Sequence, residues 1–349
     1  MYKRREVGYE KNIIFIIFII CINCIVFNKI SFGNNFDEKY KLIINSEEIG
    51  EIVRINDEFY LNGFDTQNIF ENIEGIKTCI IAGCYHYLIS DLAIKNNYDI
   101  FYNKYTGSCE LYNKLTKNEK GLVAHAGGFL DGYLVNMKES LDLSKINKMK
   151  LVEIDFIWTE DGIPVLSHDW NTVSKYSKVK FTGKLSLQDF LNNEFKFEWT
   201  PLSLDGLCEW LKENKDVFIV TDVKEKNIEM LKIITVKYPE LLNRFIPQVY
   251  SIKEYIEVSK LNYERIIFTL YKLEIDSNTI FNDIMKIQDN KLFAITMPKD
   301  RADDGLAQNL KDNNIYVYVH TINDYLIRKN LSGKGVDGFY TDVFNIDLP

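Results

Sequence analysis

The sequence predicts an α/β protein of the (β/α)8 TIM barrel class, preceded by an N-terminal membrane anchor and a small β-rich accessory region. From residue 121 onward, apolar runs typical of strands buried on both faces alternate with stretches of helical periodicity. Eight such runs suit a closed barrel whose strands are joined by helices. A doubly wound open sheet is the alternative. Its first strand usually leads into a GxGxxG loop, and this chain has HAGG at that place instead.

Composition allows one large domain and a smaller one, and it argues against one class of partner. The chain has 349 residues, of which 46% are hydrophobic, so a sizeable core can be buried. Its formal net charge is −8, and no dense basic cluster follows the extreme N-terminus. Nucleic-acid binding, which needs a cationic surface, is therefore not expected. A phosphate-bearing substrate is still compatible with this charge, because a bound divalent cation can reverse the local field.

Residues 1–35 are predicted to be a basic cytoplasmic tail followed by a membrane anchor. Lysines and arginines precede the apolar run IIFIIFIICINCIVF at residues 13–27. The run is short but usable as a spanning helix. No small-x-small cleavage site follows it, so an uncleaved signal anchor is favoured over a cleaved secretory signal. The positive-inside rule then places the chain after about residue 33 outside the cytoplasm.

Residues 36–118 are predicted to be a small accessory region, mainly β or α+β, to which the sequence assigns no function. The segment KLIINSEEIGEIVRINDEFYLNGF has the short apolar runs and the Asn, Asp and Gly turns that are typical of strands. An extracytoplasmic location would permit a disulfide among Cys79, Cys84 and Cys109, and free buried thiols are the alternative.

Residues 119–349 are predicted to form the barrel. Its strands are expected at GLVAHAG, LVEIDF, VFIVTDVK, RFIPQVY, RIIFTLY, KLFAITMP, IYVYVHT and VDGFYTD. Helices are expected between most of these strands, at SLDGLCEWLKEN, NIEMLKIITVKY, IKEYIEVSKL, NTIFNDIMKIQ and GLAQNLKDN.

The segment LVEIDFIWTEDGIPVLSHDW, residues 151–170, is predicted to be a strand, a tight turn and a returning strand. Asp161-Gly162 supplies the turn, because glycine tolerates the positive φ that such turns need. Glu153 and Asp155 are two residues apart and therefore share one face of the first strand. Because the flanking residues are apolar, both carboxylates are expected to be buried. A buried carboxylate must be paired, protonated or bound to a metal.

Polar residues recur where the predicted strands end, which is the edge of a barrel where active sites lie. They are His125, Glu153, Asp155, Asp222, Lys224, Gln248, Tyr250, Thr269, Tyr271, His320, Thr341 and Asp342. Glu153, Asp155 and Asp222 can converge, and three like charges would raise one another's pKa values unless a cation neutralised them. Ligands that are all oxygen suit Mg²⁺ or Ca²⁺.

Two histidines flank the Glu153–Asp155 pair in sequence, His125 before it and His168 after it. A pair of histidines is suited to moving protons near neutral pH, one as base and one as acid. Combined with a hard cation, the pair suits phosphoryl transfer. One imidazole would activate the nucleophile and the other would protonate the leaving alkoxide.

The motifs HAGG, EID and TEDGIPVLSHD, with Asn136 ahead of a helix and the closing YVHTIND and GVDGFYTD, resemble the glycerophosphodiester phosphodiesterase family. That family belongs to the phospholipase-C-like phosphodiesterase superfamily, and the resemblance covers about residues 121–345. It implies a TIM barrel, a divalent metal that is usually Ca²⁺ or Mg²⁺, and cleavage of a small-molecule or lipid-derived phosphodiester.

The resemblance also implies roles for particular residues. The family's two histidines correspond to His125 and His168, and its metal carboxylates correspond to Glu153, Asp155 and Asp222. Lys224 matches a family lysine near the phosphate. The further residues expected to bind substrate or to support the site are Asn136, Gln248, Tyr271 and His320.

Four positions depart from the family pattern. The family commonly has Arg where this chain has Ala126, and it often has Glu where this chain has Val135. The third carboxylate is Asp222 instead of the common Glu, and His320 stands where Trp is frequent. These departures bear on the substrate more than on the reaction, and they suggest a divergent branch.

Two other functions stay open from the sequence. A phospholipase-type transfer by the same two histidines would release a cyclic phosphate in place of an open phosphomonoester. A barrel that binds a phosphodiester or a cell-envelope polymer without cleaving it is favoured by the arginine missing at Ala126. Retention of both histidines and all three carboxylates opposes this second alternative.

Overall fold

The computed structural model describes residues 40–55, 58–62, 65–66, 69–74, 76–81, 84–271 and 273–344. Within them the chain divides into two compact units, which are 40–102 with 107–114, and 103–106 with 115–344. The predicted membrane anchor at residues 13–27 lies outside the described residues. None of the helices in the described ranges combines the length and the apolar character needed to cross a bilayer.

The first unit is built on a seven-stranded sheet with the strand order β4-β5-β3-β2-β1-β7-β6. The strands are β1 Tyr40–Ile44, β2 Glu47–Ile55, β3 Glu58–Asn62, β4 Thr78–Ile81, β5 Cys84–Leu88, β6 Tyr98–Asn103 and β7 Ser108–Asn113. Helix α1, Ile89–Lys95, packs Leu92 into a core with Leu42 and Leu61. Cys109 of β7 lies in the same core as a free, buried thiol.

The second unit contains a closed barrel of eight parallel strands. The strands of this unit are β8 Leu122–Ala124, β9 Phe129–Leu130, β10 Tyr133–Leu134, β11 Leu151–Trp158, β12 Pro164–Leu166, β13 Phe218–Val223, β14 Phe245–Val249, β15 Ile266–Thr269, β16 Leu292–Met297, β17 Val317–Val319 and β18 Gly338–Thr341. The barrel order is β8-β11-β13-β14-β15-β16-β17-β18, and β18 pairs with β8 to close it. All eight predicted strands are present, so the predicted barrel is confirmed.

Helices follow most of the barrel strands. The helices of this unit are α2 Lys117–Lys120, α3 Lys138–Ile146, α4 Trp170–Tyr176, α5 Leu187–Leu191, α6 Leu204–Glu213, α7 Asn227–Lys237, α8 Ile252–Ser259, α9 Ser277–Ile287, α10 Lys299–Asp303, α11 Leu306–Asp312 and α12 Tyr325–Ser332. Side-chain caps begin several of them, because Ser203, Ser251, Asp276 and Asp324 each accept a backbone N–H of the first turn. The five predicted helices correspond to α6, α7, α8, α9 and α11.

Strand β11 shows how the core sets the direction of the polar side chains. Val152, Ile154 and Phe156 pack in the barrel's hydrophobic core with Leu207 and Leu211 of α6. Burial of each leucine stabilises the fold by roughly 1.5–3 kcal/mol. Because successive side chains of a strand alternate between its faces, the odd-numbered residues of β11 point toward the barrel axis.

The predicted hairpin after β11 is also present. β12 pairs antiparallel with β11, with Phe156 opposite Leu166 and Trp158 opposite Pro164. Gly162 in the turn has φ 77°, which is the left-handed conformation that glycine adopts without a steric cost. The hairpin returns the chain to the strand ends, where the next residues enter the site.

Candidate active site

Three carboxylates meet near the carboxyl ends of β11 and β13, and we call them the acid cluster. Glu153 and Asp155 share one face of β11, and Asp222 lies opposite Asp155 in the parallel register. The three residues are 2%, 4% and 7% exposed. One ligand oxygen of each lies within 4.8 Å of the others. The structure thus brings together the three acidic residues that the sequence places at strand ends.

The burial of the acid cluster creates a need for positive charge. Burial raises the pKa of Glu153 well above its ordinary value, and the negative charges of Asp155 and Asp222 raise it further. Lys224 Nζ lies 3.5 Å from Asp155 Oδ1, but this ammonium and a protonated His125 together do not balance three carboxylates. A buried donor set made only of oxygen fits a hard dication such as Mg²⁺ or Ca²⁺.

Groups from the loop after β8 fix the two carboxylates of β11. The backbone N–H of Ala126 donates to Glu153 Oε2 at 2.7 Å. Asn136 Nδ2 donates to Asp155 Oδ2 at 3.0 Å, and Asn136 Oδ1 accepts the backbone N–H of Asp155 at 3.0 Å. Such outer contacts orient metal-ligating carboxylates. Asn136 therefore acts on the metal site through Asp155.

His125 follows β8 and is held by the last strand. Its Nδ1 lies 2.8 Å from Asp342 Oδ1, and Asn323 Nδ2 donates to the other oxygen of Asp342 at 2.6 Å. Burial alone would lower the pKa of His125. The bond to Asp342 and the charges of Glu153, Asp342 and Asp155 outweigh that effect and raise the pKa to about 9. Without a bound cation, this imidazole is therefore protonated at neutral pH.

Asp342→Asn is expected to destabilise the metal-free protein more at pH 6 than at pH 9.5. Folding raises the pKa of His125 from 6.5 to about 9. The proton therefore stabilises the folded state fully below pH 6.5, and this contribution is lost as the pH rises through 9. We expect a loss of about 1–2 kcal/mol at pH 6 in urea unfolding with EDTA present. Equal losses at the two pH values would contradict the ion pair.

His168 follows β12 and is held by its own neighbour. Its Nδ1 lies 2.6 Å from Asp169 Oδ2. Asp169 also caps α4, because its Oδ1 accepts the N–H of Thr172 at 2.6 Å. The imidazole side chain is 55% exposed. One carboxylate thus orients the histidine and starts the helix that follows it.

Both histidines border one cavity of about 550 Å³, together with Asn136 and Asp155. The acid cluster opens into this cavity through Asp155. Each histidine has its Nδ1 bound to an aspartate, and this leaves Nε2 as the nitrogen for proton exchange with a bound molecule. The arrangement offers two proton-transfer groups and an oxygen-rich cation site around one space.

Three of the predicted substrate-binding residues form a packed group at the ends of other strands. The rings of Tyr271 and His320 are 3.7 Å apart and nearly perpendicular. Gln248 Oε1 accepts the hydroxyl of Tyr340 at 3.1 Å, and the Tyr340 ring lies 5.9 Å from His320. Burial, and then the charge of His125, lower the pKa of His320 to about 3, so its ring is neutral. Among the described residues that line the 550 Å³ cavity, none belongs to this group.

Sequence reasoning assigned no role to two residues that position the site. The hydroxyl of Tyr250 donates to Asp222, and Asp342 holds His125. Both stand at strand ends in the sequence, but neither residue type by itself indicates a partner. The adjacency of β18 and β8 in the closed barrel is the signal that points to the Asp342–His125 pair.

Comparison with known protein families finds one match that covers most of the barrel. Residues 136–346 match the sequence profile of the Glycerophosphoryl diester phosphodiesterase family. The matched segment begins after His125 and contains His168 and the acid cluster.

Individual relatives match part of the chain. Glycerophosphodiester phosphodiesterase 1 of Homo sapiens is 28% identical over 196 residues, which are 50% of this chain and 55% of that protein. The Bos taurus protein of the same name is 31% identical over 148 residues, which are 36% of this chain and 43% of that protein. The chain thus spans about half the length of the curated relatives it matches.

Solved structures share the fold. A glycerophosphodiester phosphodiesterase from Parabacteroides distasonis aligns with a TM-score of 0.50 at 17% identity, over 64% of this chain and 92% of its own. A structure from Agrobacterium tumefaciens aligns with a TM-score of 0.51 at 17% identity, over 63% of this chain and 92% of its own. These likenesses support the barrel architecture.

Proposed function

The chain belongs to the glycerophosphoryl diester phosphodiesterase family, and on that premise we propose that it is a phosphoric diester hydrolase acting on glycerophosphodiesters or related lipid-derived phosphodiesters. The observation that carries the proposal is the shared cavity. His125 and His168 border it together with Asp155, so that two proton-transfer groups and a cation site can act on one phosphate. The names of the human and bovine relatives support the same substrate class.

The proposed cofactor is a divalent metal, Ca²⁺ or Mg²⁺, held by Glu153, Asp155 and Asp222. Support comes from the donor set. Three buried carboxylates repel one another, and a dication offsets this repulsion better than one charged side chain can. When bound, such an ion offsets negative charge on the phosphate oxygens.

His125 and His168 are proposed to move the protons of the reaction. One Nε2 takes a proton from the attacking water as its oxygen bonds to phosphorus. The other Nε2 gives a proton to the departing alkoxide as its bond to phosphorus breaks. Asp342 and Asp169 hold the Nδ1 protons and thereby fix the tautomer of each ring during this exchange.

Lys224 is proposed to contact the phosphate, and His320 is proposed to support the site from behind the cavity, because it does not line that space. Lys224 Nζ already lies beside Asp155, and its side chain is 41% exposed, so its charge can reach a phosphate that binds next to Asp155. His320 offers a buried Nε2 that has no hydrogen-bond partner among the described residues. Asn136, Gln248 and Tyr271 are proposed to support these contacts.

The arginine that the family commonly has after its first histidine is replaced here by Ala126. The backbone of Ala126 still contacts the acid cluster. Ala126 has φ 50° and ψ 35°, and its N–H is used by Glu153. The methyl side chain donates no hydrogen bond, so the phosphate loses one bidentate partner. We therefore expect the positive charge in this site to come from Lys224, His125 and the bound cation.

Cleavage of bis-p-nitrophenyl phosphate and glycerophosphocholine is the direct test of the proposed function. We expect the full chain to cleave at least one of them with Ca²⁺ or Mg²⁺, and EDTA to remove the activity. Product analysis would distinguish an open phosphomonoester from a cyclic phosphate, which is the product of the phospholipase-type alternative. Absence of both cleavage and metal binding would contradict the proposal and favour a binding barrel.

A further inference from the structure

The outer wall of the 550 Å³ cavity is built by α4 and the β9–β10 hairpin. Phe129 and Tyr133 line it from the hairpin side, and Thr172, Lys175 and Tyr176 line it from α4. Residues 172, 175 and 176 are spaced i, i+3 and i+4, so they share the face of the helix that borders the cavity. Since α4 begins directly after His168 and its Asp169 cap, the α4 part of this wall lies next to His168.

The aromatic part of this wall is held in place by packing behind it. Tyr133 and Tyr176 meet at 5.2 Å in an edge-to-face contact. Both rest on the buried ring of Trp199, at 5.9 Å and 5.5 Å. Edge-to-face aromatic pairs fix ring orientation as well as adding stability. The wall is therefore preformed around whatever group enters beside His168.

An aromatic wall of this kind could bind a quaternary ammonium, but here a lysine already occupies one of its faces. The Lys175 ammonium lies 5.1 Å from the centroid of the Tyr176 ring. This is the cation–π geometry that the head group of a choline or ethanolamine ester would otherwise use. A second cation beside it would be repelled by Lys175.

Further positive charge lies at the end of α4. Lys180 Nζ donates to the carbonyls of Ser174 at 2.5 Å and Lys175 at 2.7 Å, so its ammonium lies beside the Lys175 backbone. Within the described ranges, neither Lys175 nor Lys180 forms an ion pair. Lys178, by contrast, is neutralised by Glu194 at 3.0 Å.

The carboxylate that lines the cavity belongs to the proposed metal site. Among the described residues that line it, Asp155 supplies the only carboxylate, and that side chain belongs to the acid cluster. On the α4 side the cavity therefore presents the ammonium of Lys175, which has no ion-pair partner among the described residues, next to an aromatic wall.

We propose that Lys175 and the wall formed by Phe129, Tyr133 and Tyr176 are the subsite for the alcohol on the His168 side of the phosphate, and that this subsite selects an alcohol carrying its own anionic group, such as a second phosphate. The inference rests on the proposed phosphodiesterase function and names the substrate class within it. The proposed subsite predicts that choline and ethanolamine esters are poor substrates.

Three substrates test this selectivity in the full chain with Mg²⁺ or Ca²⁺. They are glycerophosphocholine, glycerophosphoglycerol, and glycerophosphoglycerol bearing a terminal phosphate. We expect kcat/KM to be about tenfold or more higher for the phosphorylated substrate than for the choline ester at low salt, mainly through KM. The difference should shrink at high salt, because screening weakens attraction between exposed charges.

Charge reversal at one position provides the decisive comparison. Lys175→Glu is expected to invert the preference toward the choline ester, and Lys175→Met to abolish it without inversion. Lys178→Glu changes the net charge equally, but Lys178 does not line the cavity, so this variant should keep the wild-type ratio. An equal effect of Lys178→Glu would overturn the subsite, because the preference would then depend on the overall electrostatic potential of the protein and not on Lys175.

The outcomes separate this inference from the function on which it rests. Equal kcat/KM for all three substrates in the wild-type protein would overturn the subsite while the phosphodiesterase function stood. Cleavage of none of them, with metal present, would overturn the proposed function and the subsite with it. An unchanged preference in both Lys175 variants would likewise remove Lys175 from substrate selection.

Discussion

His168→Ala is expected to lower kcat for phosphodiester hydrolysis roughly 10³-fold while leaving the fold intact. Loss of the imidazole removes one of the two proton-transfer groups at the cavity, and His125, which has the other role, is the remaining imidazole among the described residues that line it. The side chain is 55% exposed, so its removal opens no void in the core. Initial rates with saturating metal, together with thermal unfolding, would measure both parts of the prediction.

The control for this variant lies three residues further along the chain. Asn171→Ala changes an exposed residue of α4 that does not border the cavity, and it should keep wild-type kcat. His125→Ala should lose activity to a similar degree, with an added stability cost because its ring is bonded to Asp342. Wild-type turnover by either histidine variant would remove acid–base catalysis by this pair.

The fold could be predicted because its strands are buried on both faces. Such strands are continuous apolar runs, and β11 reads as one even with Glu153 and Asp155 inside it. The carboxylates stand out because they are exceptions within an apolar strand. The same contrast identified Asp222 in β13, where the parallel register places it beside Asp155.

Contacts between distant strands were harder to predict. Asp342 and His125 are separated by 217 positions. They meet because β18 pairs with β8, with Tyr340 opposite Val123 and Thr341 opposite Ala124. The residue after Thr341 then lies near the residue after Ala124. A predicted closed barrel contains this adjacency, but a run of apolar residues gives no register, so the pairing could not be assigned.

The aromatic packing behind the wall could not be predicted, for a different reason. Phe197 and Trp199 lie in an irregular stretch after α5, and Tyr133 lies in a two-residue strand. Neither segment has a period that assigns side chains to a face. The four rings of Tyr133, Tyr176, Phe197 and Trp199 become one cluster only through tertiary packing.

Glu153→Gln is expected to abolish most of the metal-dependent stabilisation while leaving the metal-free protein at least as stable as the wild type. A ligand at 100 times its dissociation constant stabilises a protein by about 2.7 kcal/mol. For a domain of this size that is a rise in Tm of roughly 5–10 °C. We expect this rise in the wild type on addition of Mg²⁺ or Ca²⁺. The variant should show little of it, because one of three oxygen ligands has lost its charge.

The metal-free part of the prediction follows from the sign of the pKa shift. Folding raises the pKa of Glu153, so its ionisation destabilises the folded state as the pH rises above the ordinary carboxyl range. Glutamine has the same shape, keeps an acceptor for the N–H of Ala126, and carries no charge. Thermal unfolding at pH 7.5, with EDTA and with metal, measures both effects.

A matched exchange outside the cluster distinguishes metal coordination from a general change in charge. Glu160→Gln removes one negative charge from the exposed turn between β11 and β12, and it should keep the full metal-induced rise in Tm. If Glu153→Gln showed the same metal-induced rise in Tm as the wild type, the ion would bind elsewhere. Destabilisation of that variant in EDTA would mean that the Glu153 carboxylate is balanced by the protein itself, so that the acid cluster would need no dication. The two measurements therefore test separately whether the cluster binds the ion and whether it lacks sufficient charge compensation without one.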